Sequence, residues 1–157
     1  MAMATAKRWL VIVILTLLLP AKPFAADGAS IIVDRAWARA SILASRPGAA
    51  YLTIRNAGAV ADRLIGATSP VAKSVMIHAT EGSGGTMRMR AMPDLEIGAG
   101  GEAVLEPGGV HLMLMGLREK LVEGEDLTLV LTFERAGVIE LQFPIRSFAA
   151  RNPDGSK

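Results

Sequence analysis

The feature that most constrains this chain is a period-two alternation of apolar and polar residues, cut at short intervals by glycine, proline, asparagine or aspartate. Leu52 and Ile54 share one face of an extended segment, with Tyr51, Thr53 and Arg55 on the other. Leu127, Leu129, Leu131 and Phe133 repeat the pattern against Thr128, Val130 and Thr132. Successive side chains point to opposite faces only in extended backbone, so each such run is a strand with one face to bury. The breakers carry turn chemistry. Arg46-Pro47-Gly48, Asn56-Ala57-Gly58, Glu81-Gly82-Ser83-Gly84-Gly85, Gly98-Ala99-Gly100-Gly101, Glu106-Pro107-Gly108-Gly109 and Arg135-Ala136-Gly137 supply a fixed or positive φ. Strands are expected at Ile31–Ala38, Ala49–Asn56, Arg63–Thr68, Val75–Ala79, Met87–Arg90, Glu102–Leu105, His111–Met115, Leu127–Phe133 and Val138–Phe143. That pattern is all-β, a sandwich or barrel in a single domain.

Residues 1–26 are set apart. Lys7 and Arg8 precede an apolar run from Trp9 to Leu19, Pro20 breaks it, and Ala25 and Ala26 offer a cleavage point. The run is far shorter than the roughly 20 residues of a membrane span, so it is expected to be a signal peptide directing export to the periplasm, with no stable membrane insertion afterwards. The β-domain is expected over 27–148. Residues 149–157 lack an evident apolar anchor and are expected to form a disordered tail. Taking Lys7, Arg8 and Lys22 from the 17 basic residues leaves 14 against 15 acidic, a net charge of −1. Without a basic surplus there is no electrostatic case for nucleic acid or an anionic membrane surface.

The chain has no cysteine. Disulfide frameworks, thiolate zinc sites, iron–sulfur clusters, cysteine nucleophiles and blue-copper centres are therefore excluded. What remains is unusual: past the signal, both histidines and all six methionines fall between positions 76 and 115. In His111-Leu112-Met113-Leu114-Met115 the alternation puts His111, Met113 and Met115 on one face and the leucines on the other. Met87 and Met89 likewise share a face, opposite Arg88 and Arg90. Met76 and Met92 are assigned to packing, Met76 as turned away from His78 and Met92 as lying outside the paired pattern. Neutral thioether sulfur is a soft donor that favours Cu(I) over oxygen-seeking ions, and it needs no deprotonation. Methionine is also an ordinary core filler, so each residue alone carries little weight.

The spacing carries more. His78, ten residues, Met89, twenty-one residues, His111, one residue, Met113 resembles the copper-binding signature of the periplasmic copper chaperone family PCu(A)C. Flanking text is similar too, including Asp34-Arg35-Ala36-Trp37, Asp62-Arg63-Leu64-Ile65-Gly66 and Pro107-Gly108-Gly109-Val110-His111-Leu112-Met113. The resemblance covers about Ile31 to Pro144. It implies a cupredoxin-like Greek-key β-sandwich, a monomer that binds one Cu(I) through His78, Met89, His111 and Met113. It further implies delivery to an acceptor protein linked to copper-site assembly in cytochrome c oxidase. Ala79 and Thr80 follow His78 where many members carry an acidic residue or methionine. Met87 and Met115 are candidate auxiliary sulfurs.

Two other classes compete. A zinc enzyme could use both histidines with Glu81, but no HExxH pattern, nucleophile grouping or phosphate loop is present, and the chain is expected not to be an enzyme. An exported β-sandwich that only binds protein would leave methionine and histidine as packing.

Overall fold

The computed structural model describes residues 30–83 and 86–156; the expected signal segment lies outside them. Ten strands form: β1 (Ile31–Arg39), β2 (Gly48–Asn56), β3 (Asp62–Thr68), β4 (Ala72–Ser83), β5 (Thr86–Met92), β6 (Leu95–Ile97), β7 (Glu102–Leu105), β8 (Val110–Leu117), β9 (Asp126–Phe133) and β10 (Gly137–Arg146). All nine expected strands are present, and β6 is added. At three residues, bracketed by Pro93-Asp94 and Gly98, it is too short to show a period in the sequence. No helix occurs among the described residues.

The strands run in the order β5-β4-β8-β2-β1-β10-β9-β3-β6, with β7 on β2, and a β3–β4 pairing at Ala67 and Val75 closes the sheet on itself. Neighbours remote in sequence, β4 beside β8, β8 beside β2 and β10 parallel to β1, make it a Greek-key sandwich rather than a meander. Inside lies one core. Leu52, Ile54, Leu64, Leu112, Leu114, Leu127, Leu129, Leu131 and Phe143 are all but inaccessible to solvent, so the alternation read in β2, β8 and β9 points inward as expected. Each such side chain contributes roughly 1.5–3 kcal/mol by leaving water.

The interior also holds an acid. Asp62 is buried and accepts three backbone N–H bonds, from Arg63 at 2.7 Å, Arg135 at 2.9 Å and Ala136 at 2.9 Å. It thereby fixes the β9–β10 hairpin turn, whose Gly137 has φ +79°. Asn56 does similar work, accepting from Gly58 N–H at 3.0 Å and donating to the carbonyl oxygens of Val60 and Ile97.

β1 carries a bulge. Asp34 pairs with Thr53 but Trp37 with Tyr51, and Arg35 within the bulge adopts φ +52°. One extra residue reverses the parity of the rest of the strand. Val33 and Ala38 therefore face the core together, while Asp34, Trp37 and Arg39 face outward.

The segment expected to fray is instead tied back over that outer face. Ala150 is fully buried against Trp37 and Tyr51, its carbonyl accepts from Arg39 Nη2 at 2.8 Å, and Arg146 Nε donates to the Pro153 carbonyl at 2.8 Å. A single alanine is the anchor, which is why composition did not reveal it.

Replacing Asp62 by alanine orphans two turn amides and the Arg63 amide. The expected loss is about 2–4 kcal/mol of stability, read as a lower urea midpoint with unchanged slope.

Candidate metal centre

β4 and β8 pair antiparallel in a register that sets Val75 against Leu114, Met76 against Met113, Ile77 against Leu112 and His78 against His111. Ile77, Leu112 and Leu114 are core residues, so Met76, His78, His111 and Met113 must lie on the outer face. β4 and β5 pair with His78 opposite Ala91, Thr80 opposite Met89 and Gly82 opposite Met87. Met89 is thus the diagonal neighbour of His78, and Met87 lies one step further along the hairpin. Met87 and Met89 are largely exposed, whereas Met113 and Met115 are half-buried. The four residues singled out by spacing therefore come from three adjacent strands onto one face.

The imidazoles are adjacent, with ring centroids 6.1 Å apart and planes at 54°. Two rings bound to one ion at roughly 2 Å place their centroids roughly 5–6.5 Å apart, so the pair needs little movement to share a metal. His111 is 6% exposed, and its Nδ1 lies 3.1 Å from the Gly109 carbonyl oxygen. A ring that donates there presents the Nε2 lone pair outward, the orientation a metal ligand needs. The carbonyl is placed by the Glu106–Gly109 turn, closed by Gly109 N–H to Glu106 O at 3.1 Å, with Pro107 second and Gly108 third at φ +84°. This is the type II arrangement its sequence predicts.

Both ring nitrogens of His78 are shielded from solvent and have no hydrogen-bond partner. Buried polar atoms are nearly always partnered, and an orphaned imidazole signals an absent ion or water. Desolvation first, and the neighbouring His111 second, push its pKa below the ordinary imidazole value of 6.5. The ring is thus kept neutral, the form that can donate a lone pair to a metal.

The zinc alternative finds no support in the geometry. No group of three or more histidine, aspartate or glutamate side chains capable of holding an ion occurs among the described residues. Glu81 is engaged by Arg90, whose Nη2 and Nε lie 2.9 and 3.1 Å from its Oε1. Met76, Met89 and Met113 bring thioether sulfur to the same face.

One correction follows. Met76, assigned above to packing away from His78, lies two residues from it and hence on the same face, 41% exposed and directly opposite Met113. In an unbulged strand, positions i and i+2 cannot diverge. Met92, by contrast, pairs with Ile77 and packs partly on the core, as expected.

The sequence reading also missed the wall beside His111. Tyr51 lies 6.4 Å from the His111 ring and 4.5 Å from Trp37, centroid to centroid, with the Arg39 guanidinium 5.4 Å over Tyr51 and 6.0 Å over Trp37. Burial raises the Tyr51 pKa and Arg39 only partly opposes this, so Tyr51 stays a neutral phenol and acts as packing. Only the β1 bulge turns Trp37 to this side, and no motif announces a bulge. On its other flank Met113 borders an open groove of about 450 Å³, shared with Ile42, Leu43 and Phe148.

With this geometry in place, comparison with known proteins is informative. Residues 31–145 match the family model described as "Putative lipoprotein LpqE-like". A Leifsonia xyli protein named "Putative lipoprotein Lxx21020" is 34% identical over 128 residues, spanning 81% of this chain and 75% of that protein. Among solved structures, the solution structure of CuI-DR1885 from Deinococcus radiodurans is 30% identical with a TM-score of 0.56, covering 80% of each chain. The copper-bound PCuAC domain from PmoF2 superimposes with a TM-score of 0.65 at 22% identity, covering 75% of this chain and 93% of that one, a likeness of fold.

The depressed His78 pKa has a sign. Below pH 6.5 the unfolded chain takes up a proton that the folded ring resists, so apo-protein stability falls as pH drops from 6.5 through the folded pKa and then levels. Melting at pH 5 against pH 7 should reveal that loss, and His78→Gln should shrink it.

Proposed function

The chain belongs to the LpqE-like family and has the fold of the PCuAC domains, and on that footing we propose that it is a periplasmic carrier of a single Cu(I). His78, Met89, His111 and Met113 hold the ion, and an acceptor protein takes it, in the assembly of the copper sites of cytochrome c oxidase. The observation that carries this reading is the His78 ring, with both nitrogens buried and unpartnered, beside His111 on a face that also carries Met89 and Met113. The copper-loaded state named for the Deinococcus radiodurans relative supports it.

Each ligand has a distinct part. His111, held by the Gly109 carbonyl and packed on Tyr51, is the fixed donor. His78 is the desolvated donor kept neutral by burial. Met113 closes the site from the half-buried side, and Met89, 60% exposed on the β4–β5 hairpin, is the ligand an acceptor can displace first. All four are neutral, so exchange of one sulfur for an acceptor's donor requires no proton transfer. Nothing in this set activates water or a nucleophile, which favours a carrier over an enzyme.

The relatives' lipoprotein names bear on export, and we assign the periplasm from residues 1–26. Within this sequence no cysteine is available for sulfur-linked lipid attachment.

Titration with Cu(I) under a competing chelator tests the assignment. One equivalent should bind, quenching Trp37, which is coupled to His111 through Tyr51. Met113→Leu should weaken binding by about 100-fold. Unchanged affinity in Met113→Leu would overturn the ligand set, and no stoichiometric Cu(I) in the parent protein would favour a protein-binding module instead.

A further inference from the structure

The outer face carries more sulfur than one four-ligand site uses. Met76 sits directly opposite Met113, and the next position on that face of β8 is Met115, opposite Ser74. Met76, Met113 and Met115 form a triangle displaced from the histidines by one step along the strands. Met76 is 41% exposed, and Met113 and Met115 are half-buried, so none is consumed by the core.

Resting on the Cu(I) reading above, we propose that Met76, Met113 and Met115 form a second, all-thioether station for a soft monovalent ion. It shares Met113 with the His78–His111 site. Directly paired Cβ atoms lie roughly 5 Å apart, same-face neighbours along a strand roughly 6.7 Å and diagonals roughly 7–8 Å. A point just above the centre of such a triangle is therefore roughly 4–4.5 Å from each Cβ. A methionine sulfur two bonds beyond Cβ, with a metal–sulfur bond of roughly 2.3 Å, spans that gap. Three uncharged thioethers select a soft ion and reject Zn²⁺ and Ca²⁺.

Because Met113 belongs to both sets, the two stations exclude each other and one ion moves between them. Met76 and Met115 bind while the two imidazoles and Met89 release; no proton or electron is exchanged. The station lies on the side of Met113 away from Met89, so an ion can leave the histidines without passing the β4–β5 hairpin. It is a way out built into the same sheet face.

Ag(I), a redox-inert soft probe, separates the stations in protein carrying 13C-methyl methionine. In the parent protein the first equivalent should shift the His78 and His111 ring signals and the Met89 and Met113 methyls. In His78→Ala/His111→Ala one weaker equivalent should remain, now shifting the Met76, Met113 and Met115 methyls. Adding Met76→Leu and Met115→Leu, near-isosteric changes, should abolish it. Retention of that equivalent in the quadruple variant, or no Ag(I) binding in the double histidine variant, would overturn the station. A parent protein whose histidine signals ignore Ag(I) would instead overturn the primary site.

Should the histidine variants fail to fold, the parent background suffices. Met76→Leu and Met115→Leu together should slow Ag(I) transfer to a thioether chelator by about tenfold while the first equivalent still shifts the His78 and His111 ring signals. An unchanged transfer rate would overturn the proposal.

Discussion

The antiparallel register of β4 on β8 opposes Ile77 to Leu112 and Val75 to Leu114 on the inner face. Those buried pairs lock the register, because a one-residue slip of β8 would bring His111 and Met113 into the core and expel Leu112 and Leu114. The same register, read on the outer face, opposes His78 to His111 and Met76 to Met113. The hydrophobic effect acting on one side of the sheet thus brings the soft donors together on the other. The histidines are brought together although each gives up solvation to do so.

That cost is carried by the neighbourhood. His111 recovers a hydrogen bond from the Gly109 carbonyl and van der Waals contact from Tyr51, which is itself covered by Trp37, Arg39 and Ala150. His78 recovers nothing, and its neutral state is the consequence. The asymmetry separates a ring whose orientation is fixed by its partners from one whose bonding capacity is unmet. The β1 bulge is a precondition: without the parity change at Asp34 and Trp37, the tryptophan would face the core and the wall behind His111 would lack its outer layer.

Much of this was legible in the residues. Alternation in β2, β8 and β9 located the core, the Pro107-Gly108 pair located the turn beneath His111, and the spacing from His78 to Met113 selected four residues that prove to lie on one face. Three things escaped. β6 is shorter than any period. The bulge is written in backbone geometry at Arg35, which an ordinary arginine does not advertise. The tail is held by the small, fully buried Ala150, whose apolar contribution is invisible to composition and whose backbone carbonyl accepts from Arg39. Met76 is different, since its parity with His78 was present in the sequence and places it on the histidine face rather than in the packing.

The absence of cysteine bears on why the face is built this way. A thiolate pair would bind a soft ion tightly, but in an oxidising compartment it closes to a disulfide and must gain or lose protons as the metal leaves. Thioethers and neutral imidazoles avoid both constraints, and they leave the ion's positive charge uncompensated, which limits affinity. A carrier would gain from that limit. In the proposed ligand set the two halves are unequal, with His111 and Met113 packed into the sheet and Met89 exposed on the β4–β5 hairpin. Under that proposal, rigidity on one side would hold the ion and exposure on the other would give an incoming donor access to one bond at a time. Release would then proceed by single sulfur exchanges and not by opening of the fold, whose core lies on the opposite face.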